Sequence, residues 1–413
     1  MDVLYERCCG LDIHKKTVVA CRILPGAAGR PAKEVRTFGT MTADLLELAA
    51  WLAEAGVTHV GMESTGVYWW PIWNVLEEGD FELVLANARH IKAVPGRKTD
   101  VRDCEWIADL LRHGLLPASF VPDRAGRERR ELTRYRTSLV QERSAEVNRL
   151  QKTLEGANIK LAAVVSDVLG VSGRDMLAAL VGGASDAAAL ANLARGQLRA
   201  KLPTLRQALA GRFGPHQQFL IAQQLAHIDA LDALIGQVDA ELEERLRPFA
   251  RALALLDTIP GVGRRTAEII VGEIGPDMGR FPSAKHLASW AGMCPGNHQS
   301  AGKRTSGRTR KGSKWLRSAL VEAAQAAGHT KDTYLGARYR RLVARLGKRK
   351  AAVAIGHAIL EVAYYLLARD LPYHDLGPLF FEERHRAALE RTLVRRLEAL
   401  GHTVTLQPHD PAA

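Results

Sequence analysis

The chain has 413 residues, 57 Lys and Arg against 45 Asp and Glu, and a net charge of +12. At 47% hydrophobic residues it is a folded protein of two or three domains, not a disordered chain. It contains no run of about 18 apolar residues, so no membrane span is expected. The acidic start MDVLYERCCGLDIHKK does not resemble a signal peptide. The five cysteines (Cys8, Cys9, Cys21, Cys104, Cys294) show no CxxC pair and no zinc spacing. Such a set suits reduced, buried thiols in a cytoplasm. The charge is concentrated: Phe281–Lys350 holds sixteen Lys/Arg and two acids, Glu322 and Asp332, so the remainder of the chain is near neutral. One basic region on a near-neutral body is the footprint of a polyanion partner, and no bulky amphipathic helix argues for a membrane surface instead.

Residues 1–123 read as a mixed α/β domain. Cys8–Asp12 and Thr17–Leu24 are expected strands joined by His14-Lys15-Lys16. Ala43–Ala55 has helical spacing, and Val57–Met62 is a buried strand. Gly66 opens an aromatic helix, Phe81–Leu85 is a further strand, and Asp100–His113 is a helix stopped by Gly114. Residues 124–256 show no strand. Leu132, Leu139, Leu150 and Leu154 recur at helical steps, and Ile221, Ile228, Ile235 and Leu242 recur every seven. These are two helices of a coiled-coil insert, interrupted by Gly170–Gly183 and Pro203–Pro215. The first helix carries Arg127, Arg129, Arg130, Arg134, Arg136, Arg143 and Arg149, a candidate face for nucleic acid as well as for a spacer or dimer arm. Residues 257–370 are helical with polar loops, and 371–413 are a helix and a polar tail.

Four carboxylates stand out. Asp12 ends the first strand, Glu63 follows the strand Val57–Met62, and Asp100 and Asp103 share a helix face at i, i+3. Acids at the ends of separate elements of one α/β domain suit Mg²⁺, which takes oxygen ligands, with Mn²⁺ as the alternative. Paired ions of this kind drive phosphodiester chemistry. Each acid alone has an ordinary role: a strand-end turn residue, an N-cap for Asp100, a first-turn acid for Asp103. Their order is the layout of RNase H-like nucleases. Segments GLDIHKKT, MESTGVYWWP and KTDVRDCEWIADLLRHG resemble the N-terminal RuvC-like domain of the DEDD transposases, insertion-sequence recombinases of the IS one-ten family. The resemblance implies that Asp12, Glu63, Asp100 and Asp103 are catalytic metal ligands.

Farther on, Pro260-Gly261-Val262-Gly263 joins two helices and resembles a helix-hairpin-helix, with Gly261, Gly263 and Arg264 as candidate DNA contacts. Its alternative is a tight αα turn. A helix over Ser283–Ala291 leads to a loop of small and basic residues, and another helix begins near Ser313. Ser300 lies in that loop with Lys303, Arg304, Arg308, Arg310, Lys311 and Lys314. Serine is a poor nucleophile without a base, a metal or cations beside it, and basic loops mostly bind backbone without chemistry. The run Ile259–Ala324 resembles the C-terminal domain of the same family, whose catalytic serine precedes a glycine. That match falls on Ser300, although Ser-Ala-Gly stands here where Ser-Gly is usual, and Ser306-Gly307 is the alternative.

The resemblance implies a transposase or DNA recombinase that uses a covalent serine–phosphate intermediate. It further implies double-stranded DNA and a structured guide (bridge) RNA as partners, a homo-oligomer (dimer or tetramer), and a cytoplasmic, nucleoid-associated location. The rivals are a junction-resolving nuclease that uses water and a non-enzymatic DNA binder.

Overall fold

A computed structural model describes residues 2–27, 30–64, 66–88, 91, 103–296, 298–300, 303–384 and 386–407; the side chains of 298–300, 303–306 and 387–389 lie outside the description. The chain divides into two compact units, residues 1–121 and 122–413. The boundaries expected at 256 and 370 both fall inside the second unit.

The first unit is built on a five-stranded sheet. β1 (Cys8–Ile13), β2 (Thr17–Leu24) and β3 (Ala32–Gly39) form an antiparallel meander, while β4 (His59–Glu63) and β5 (Glu82–Ala86) run parallel to β1. The strand order is β3-β2-β1-β4-β5. β3 was not expected. Its Lys33, Glu34 and Arg36 mask the alternation, as charges on an edge strand do. Arg22 holds it by donating to Glu34 at 2.6 and 2.9 Å, with its guanidinium over the Trp51 ring.

Helices cover both faces. β1 sits in mid-sheet and is buried along almost its whole length, as such strands are. Its odd residues Cys9, Leu11 and Ile13 pack against α1 (Thr42–Glu54) and α2 (Trp69–Leu76). Its even residues Cys8, Gly10 and Asp12 face α3 (Asp103–Arg112), whose Cys104, Ile107, Ala108 and Leu111 form the second core layer. Gly114, with φ of +67°, follows the end of α3.

In the second unit, α4 (Arg124–Gly156) and α9 (Pro215–Leu246) are the long elements. Between them lie α5 (Leu161–Val164), α6 (Val171–Val181), α7 (Ala187–Asn192) and α8 (Leu202–Leu209). Gly170–Gly183, expected as an interruption, is largely the helix α6. Met176, Leu177 and Leu180 are buried there, and Gly173 fits because a side chain would meet the Val168 carbonyl. α4 and α9 pack against each other, and their ion pairs run in antiparallel register, Arg136 with Asp239 and Arg143 with Asp232. Ile221, Ile228 and Leu242 of the heptad are fully buried.

α10 (Ala250–Asp257), α11 (Arg264–Ile274), α12 (Ala284–Trp290), α13 (Lys314–His329), α14 (Tyr334–Leu346) and α15 (Lys348–Arg369) follow, then α16 (Phe380–Arg384) and α17 (Arg386–Ala399). Among the described residues, α15 alone is by length and composition apolar enough to cross a membrane, although Glu361 and His357 interrupt its apolar run. It packs as a core helix against α12, α13 and α14, with Ile355, Ile359, Leu360 and Ala363 buried. The segment read as a loop after α12 contains a short hairpin, β6 (His298–Ser300) with β7 (Lys303–Ser306).

Candidate functional site

Sheet register brings the acids of the first unit to one edge. Leu11 pairs with Met62, so Asp12 and Glu63 are the next positions on neighbouring parallel strands, and both face α3. Glu63 is the last residue of β4, rather than the residue after it. The ladder continues past it through Ser64 N–H to the Ala86 carbonyl at 2.9 Å. α3 lies close on this face because Gly10 and Gly61 carry no side chain. A Cβ on Gly10 would stand 2.3 Å from the Ala108 nitrogen and 2.4 Å from the Cys104 carbonyl oxygen. A Cβ on Gly61 would meet Leu116, Leu111 and Ile107. Ala108 also accepts from the Cys8 thiol, so α3 runs opposite to β1. The N-terminal end of α3, where Asp103 stands, therefore lies toward the ends of β1 and β4 that carry Asp12 and Glu63. Asp100 lies outside the described residues. Among the described residues no three acids are close enough to form a closed metal cluster.

Asp12 is partly exposed, and its carboxylate is 3.2 Å from His14 Nε2. His14 was read only as a turn residue; its place two positions after a strand-end acid was the available signal. The exposed aromatic stretch Tyr68 and Trp70 follows Glu63 on the same strand exit. Cys8, Cys9 and Cys21 lie buried in the sheet beneath. Burial pushes the Cys8 thiol up to about 11 and the Cys21 thiol to about 12, so they are inert packing groups.

In the second unit, Ser300 is the last residue of β6, in register with Lys303, and Ser306 stands opposite His298. The segment returns on itself. Pro295 bridges to Thr309, and the Gly296 N–H donates to the Arg308 carbonyl at 2.8 Å. At its neck, Gly292 and Gly312 touch backbone to backbone, with a Cβ on Gly292 falling 2.7 Å from the Gly312 nitrogen. Ser313 then caps α13, accepting from the Leu316 N–H at 3.2 Å. Of the basic residues expected here, Arg308, Arg310, Lys311 and Lys314 are exposed, and Lys314 lies over the Trp315 ring. The side chains of Lys303, Arg304 and Ser300 are outside the description.

Sequence reasoning missed the anchor of this lobe. Glu273 on α11 is fully buried and accepts hydrogen bonds from Nε and Nη2 of Arg134 at 2.6 and 3.0 Å. It also accepts the Ser313 hydroxyl at 3.0 Å, and Arg130 donates to its backbone carbonyl. Burial lowers Arg130 to about 10. The neck of the serine-bearing lobe is thus tied to α4.

The same pairing changes the reading of α4. Arg130, Arg134, Arg136, Arg143 and Arg149 are engaged with Glu273, Asp239, Asp232 and Glu146. Arg129 stacks over Phe249, and Arg127 donates to the Pro122 carbonyl. Arg130, Arg134, Arg136 and Arg143 thus join α4 to neighbouring helices, while Arg127 and Arg149 make local contacts along the chain. The PGVG turn is likewise built for packing at its first glycine. Gly261 has φ of +88°, and a Cβ there would meet the Ala323 carbonyl of α13 at 2.3 Å. Gly263 is exposed with open space around it, but Arg264 and Arg265 are drawn onto the buried Glu268.

Comparison with known proteins agrees with these two regions. A family model for DEDD transposases of the IS110 type matches residues 9–159, and a model for the transposase IS116/IS110/IS902 family matches residues 253–340. The 42 kDa protein of insertion element IS900 from Mycobacterium paratuberculosis is 31% identical over 243 residues, 52% of this chain and 60% of that protein. A Pseudomonas aeruginosa protein, named as a probable family 20 transposase, is 27% identical over 158 residues, 37% of this chain and 46% of its own length. The pilin gene-inverting protein of Moraxella bovis is 33% identical over 127 residues, 29% of this chain and 38% of that one. The chain spans about half the length of the curated relatives it matches. Two models of one family, in order and together covering more than half the residues, place the acid edge in one and the serine lobe in the other: the chain belongs to the IS116/IS110/IS902 family of transposases.

Proposed function

We propose that this protein is an insertion-sequence transposase that cleaves and rejoins DNA through a serine–phosphate intermediate. The observation that supports the reading is the register that makes Asp12 and Glu63 neighbours at the ends of the parallel strands β1 and β4 in a β3-β2-β1-β4-β5 sheet. That strand order, three antiparallel strands followed by two parallel ones, supports a RuvC-like assignment. The donor set is all carboxylate oxygen, with Asp12 and Glu63 half-buried, which fits a hard divalent cation such as Mg²⁺, with Mn²⁺ as a substitute. Asp12, Glu63 and Asp103 would hold it, with Asp100 as the fourth acid. A bound cation supplies charge stabilisation for the phosphate and eases ionisation of a nearby hydroxyl.

Ser300 is the proposed nucleophile. Its oxygen forms a bond to phosphorus as the bond from phosphorus to the departing strand breaks, and a second strand end later reverses the exchange. Arg308, Arg310, Lys311 and Lys314, exposed around the lobe, neutralise the phosphates flanking the reacting one. Glu273, through Ser313, fixes the lobe's neck. His14 beside Asp12 accepts or returns a proton at that edge. Double-stranded DNA is the substrate; a guide RNA, a homo-oligomer and a cytoplasmic, nucleoid-associated location follow from the family and belong to the same proposal. The proposed functional parts are 1–123, 124–256, 257–370 and 371–413.

The test is recombination between donor and target plasmids, with and without RNA from the element's flanks, using wild type and Ser300→Ala. The reading expects products only with wild type, Mg²⁺ and RNA. Strand cleavage that persists in Ser300→Ala would favour a nuclease that uses water, and binding with no cleavage under any metal condition would favour a DNA-binding role alone.

A further inference from the structure

α14 ends and α15 begins at a single shared residue, Gly347, with φ of +78°. The sequence around it reads Arg345-Leu346-Gly347-Lys348-Arg349-Lys350, and every one of these residues is exposed. Because the chain turns at Gly347, the last turn of α14 and the first turn of α15 share one corner. Arg340 and Arg341 lie one turn earlier on α14, also exposed.

Among the described residues no carboxylate pairs with this corner; the acids that come closest in the fold, Glu382 and Glu383, follow Phe381, whose ring lies under Arg341. No acidic residue occurs between Asp332 and Glu361. Among the described residues, Arg345, Lys348, Arg349 and Lys350 have no carboxylate partner. The contrast with α4 is direct, since there the arginines are consumed by Glu273, Asp239 and Asp232. Three of the corner cations also occupy the first turn of α15, where the helix dipole disfavours positive charge. Four mutually repelling cations and an opposed dipole carry a folding cost that internal pairing does not offset. A polyanion bound across both helices would offset it.

We propose that the α14–α15 corner is a sequence-independent contact for the phosphate backbone of duplex DNA, separate from the serine lobe. It rests on the reading of this protein as a DNA-acting enzyme and assigns it a surface that holds DNA without taking part in cleavage. Several phosphates of a duplex lie within reach of so compact a cluster, and Lys and Arg contacts to phosphate position a protein without reading bases.

The experiment compares wild type with the triple variant Arg345→Gln/Lys348→Gln/Arg349→Gln. All three residues are exposed, and a melting temperature at or above that of wild type verifies folding. A charge-matched control removes Arg384, Arg395 and Arg396 from α16 and α17 in the same way. Binding to a random-sequence DNA duplex is measured from 50 to 300 mM salt. Loss of three phosphate contacts lowers the slope of log K against log salt by about 2–3 and weakens binding about 10²-fold at 0.1 M, equally for unrelated sequences. The control keeps the wild-type slope. An unchanged slope in the triple variant, or an equal drop in the control, overturns the proposal while leaving the transposase reading intact. A loss seen with an RNA duplex but not with DNA overturns it in favour of an RNA surface. If wild type binds no DNA at any salt, the functional reading itself fails, and this proposal with it.

Discussion

Glu273 offers a stringent check on the energetics described here. Its carboxylate is fully buried and takes four donors' worth of charge and hydrogen bonding from Arg134, Arg130 and Ser313. In Glu273→Ala the side chains of Arg130 and Arg134 lose their counter-ion. Breaking a buried pair by removing one partner costs about 3–5 kcal/mol. Arg134 is 28% exposed and can turn partly toward water, so the lower end applies, about 3 kcal/mol. For a unit of this size that is a fall of about 5 °C in Tm. Glu273→Gln keeps an acceptor and costs about half as much. Calorimetry or urea unfolding reads both. In a double-mutant cycle, Arg134→Ala adds little to Glu273→Ala, since the partner is already gone. A Glu273→Ala protein that melts within about 2 °C of wild type, or full additivity with Arg134→Ala, would refute the role given to this network.

Three further outcomes follow. Gly10→Ala drives a methyl into the α3 backbone at Ala108 and Cys104; it lowers the stability of the first unit by about 1–3 kcal/mol. Metal-dependent cleavage falls further than the lost fold explains, measured per folded molecule, because Asp103 moves off the edge. Asp12→Asn and Glu63→Gln each abolish Mg²⁺-dependent cleavage while leaving DNA binding within a few-fold of wild type in a filter assay. The buried thiols give a pH signature. Cys8 and Cys21 titrate near 11 and 12 in the folded protein against 9.0 ordinarily, so above pH 9 the unfolded chain loses protons that the folded one keeps. Stability is therefore full below pH 9 and declines as pH rises toward 11, by at most about 1.4 kcal/mol per pH unit per thiol. Urea unfolding at pH 8 and 10 reads this, and Cys21→Ala makes the decline shallower; equal slopes for both proteins would contradict the assignment.

The sequence carried the parts of the fold that rest on local pattern. The apolar runs of β1, β4 and β5 and the stop at Gly114 were visible because burial and turn chemistry leave marks on neighbouring residues. Asp12 and Glu63 were legible as strand-end acids for the same reason. β3 was hidden because an exposed edge strand owes its identity to pairing with β2, not to its own Lys33, Glu34 and Arg36. The use of Arg134, Arg136 and Arg143 was hidden because their partners lie 139, 103 and 89 residues away. A helix rich in arginine reads as a polyanion surface until those carboxylates are in place. The role of Gly10 and Gly61 was hidden too, since only the packed α3 shows why they carry no side chain. Ser300 was singled out by family likeness, while its position at a hairpin end came from the fold.

The most direct test of the proposed chemistry is covalent trapping. End-labelled DNA carrying the element's ends is incubated with the protein, the reaction is stopped with denaturant, and the protein is resolved on a denaturing gel. The account predicts a labelled protein–DNA adduct that requires Mg²⁺, is absent in Ser300→Ala and in Asp12→Asn, and maps to the peptide containing Ser300. Cleaved DNA with no adduct in wild type, or an adduct that survives Ser300→Ala, would contradict it.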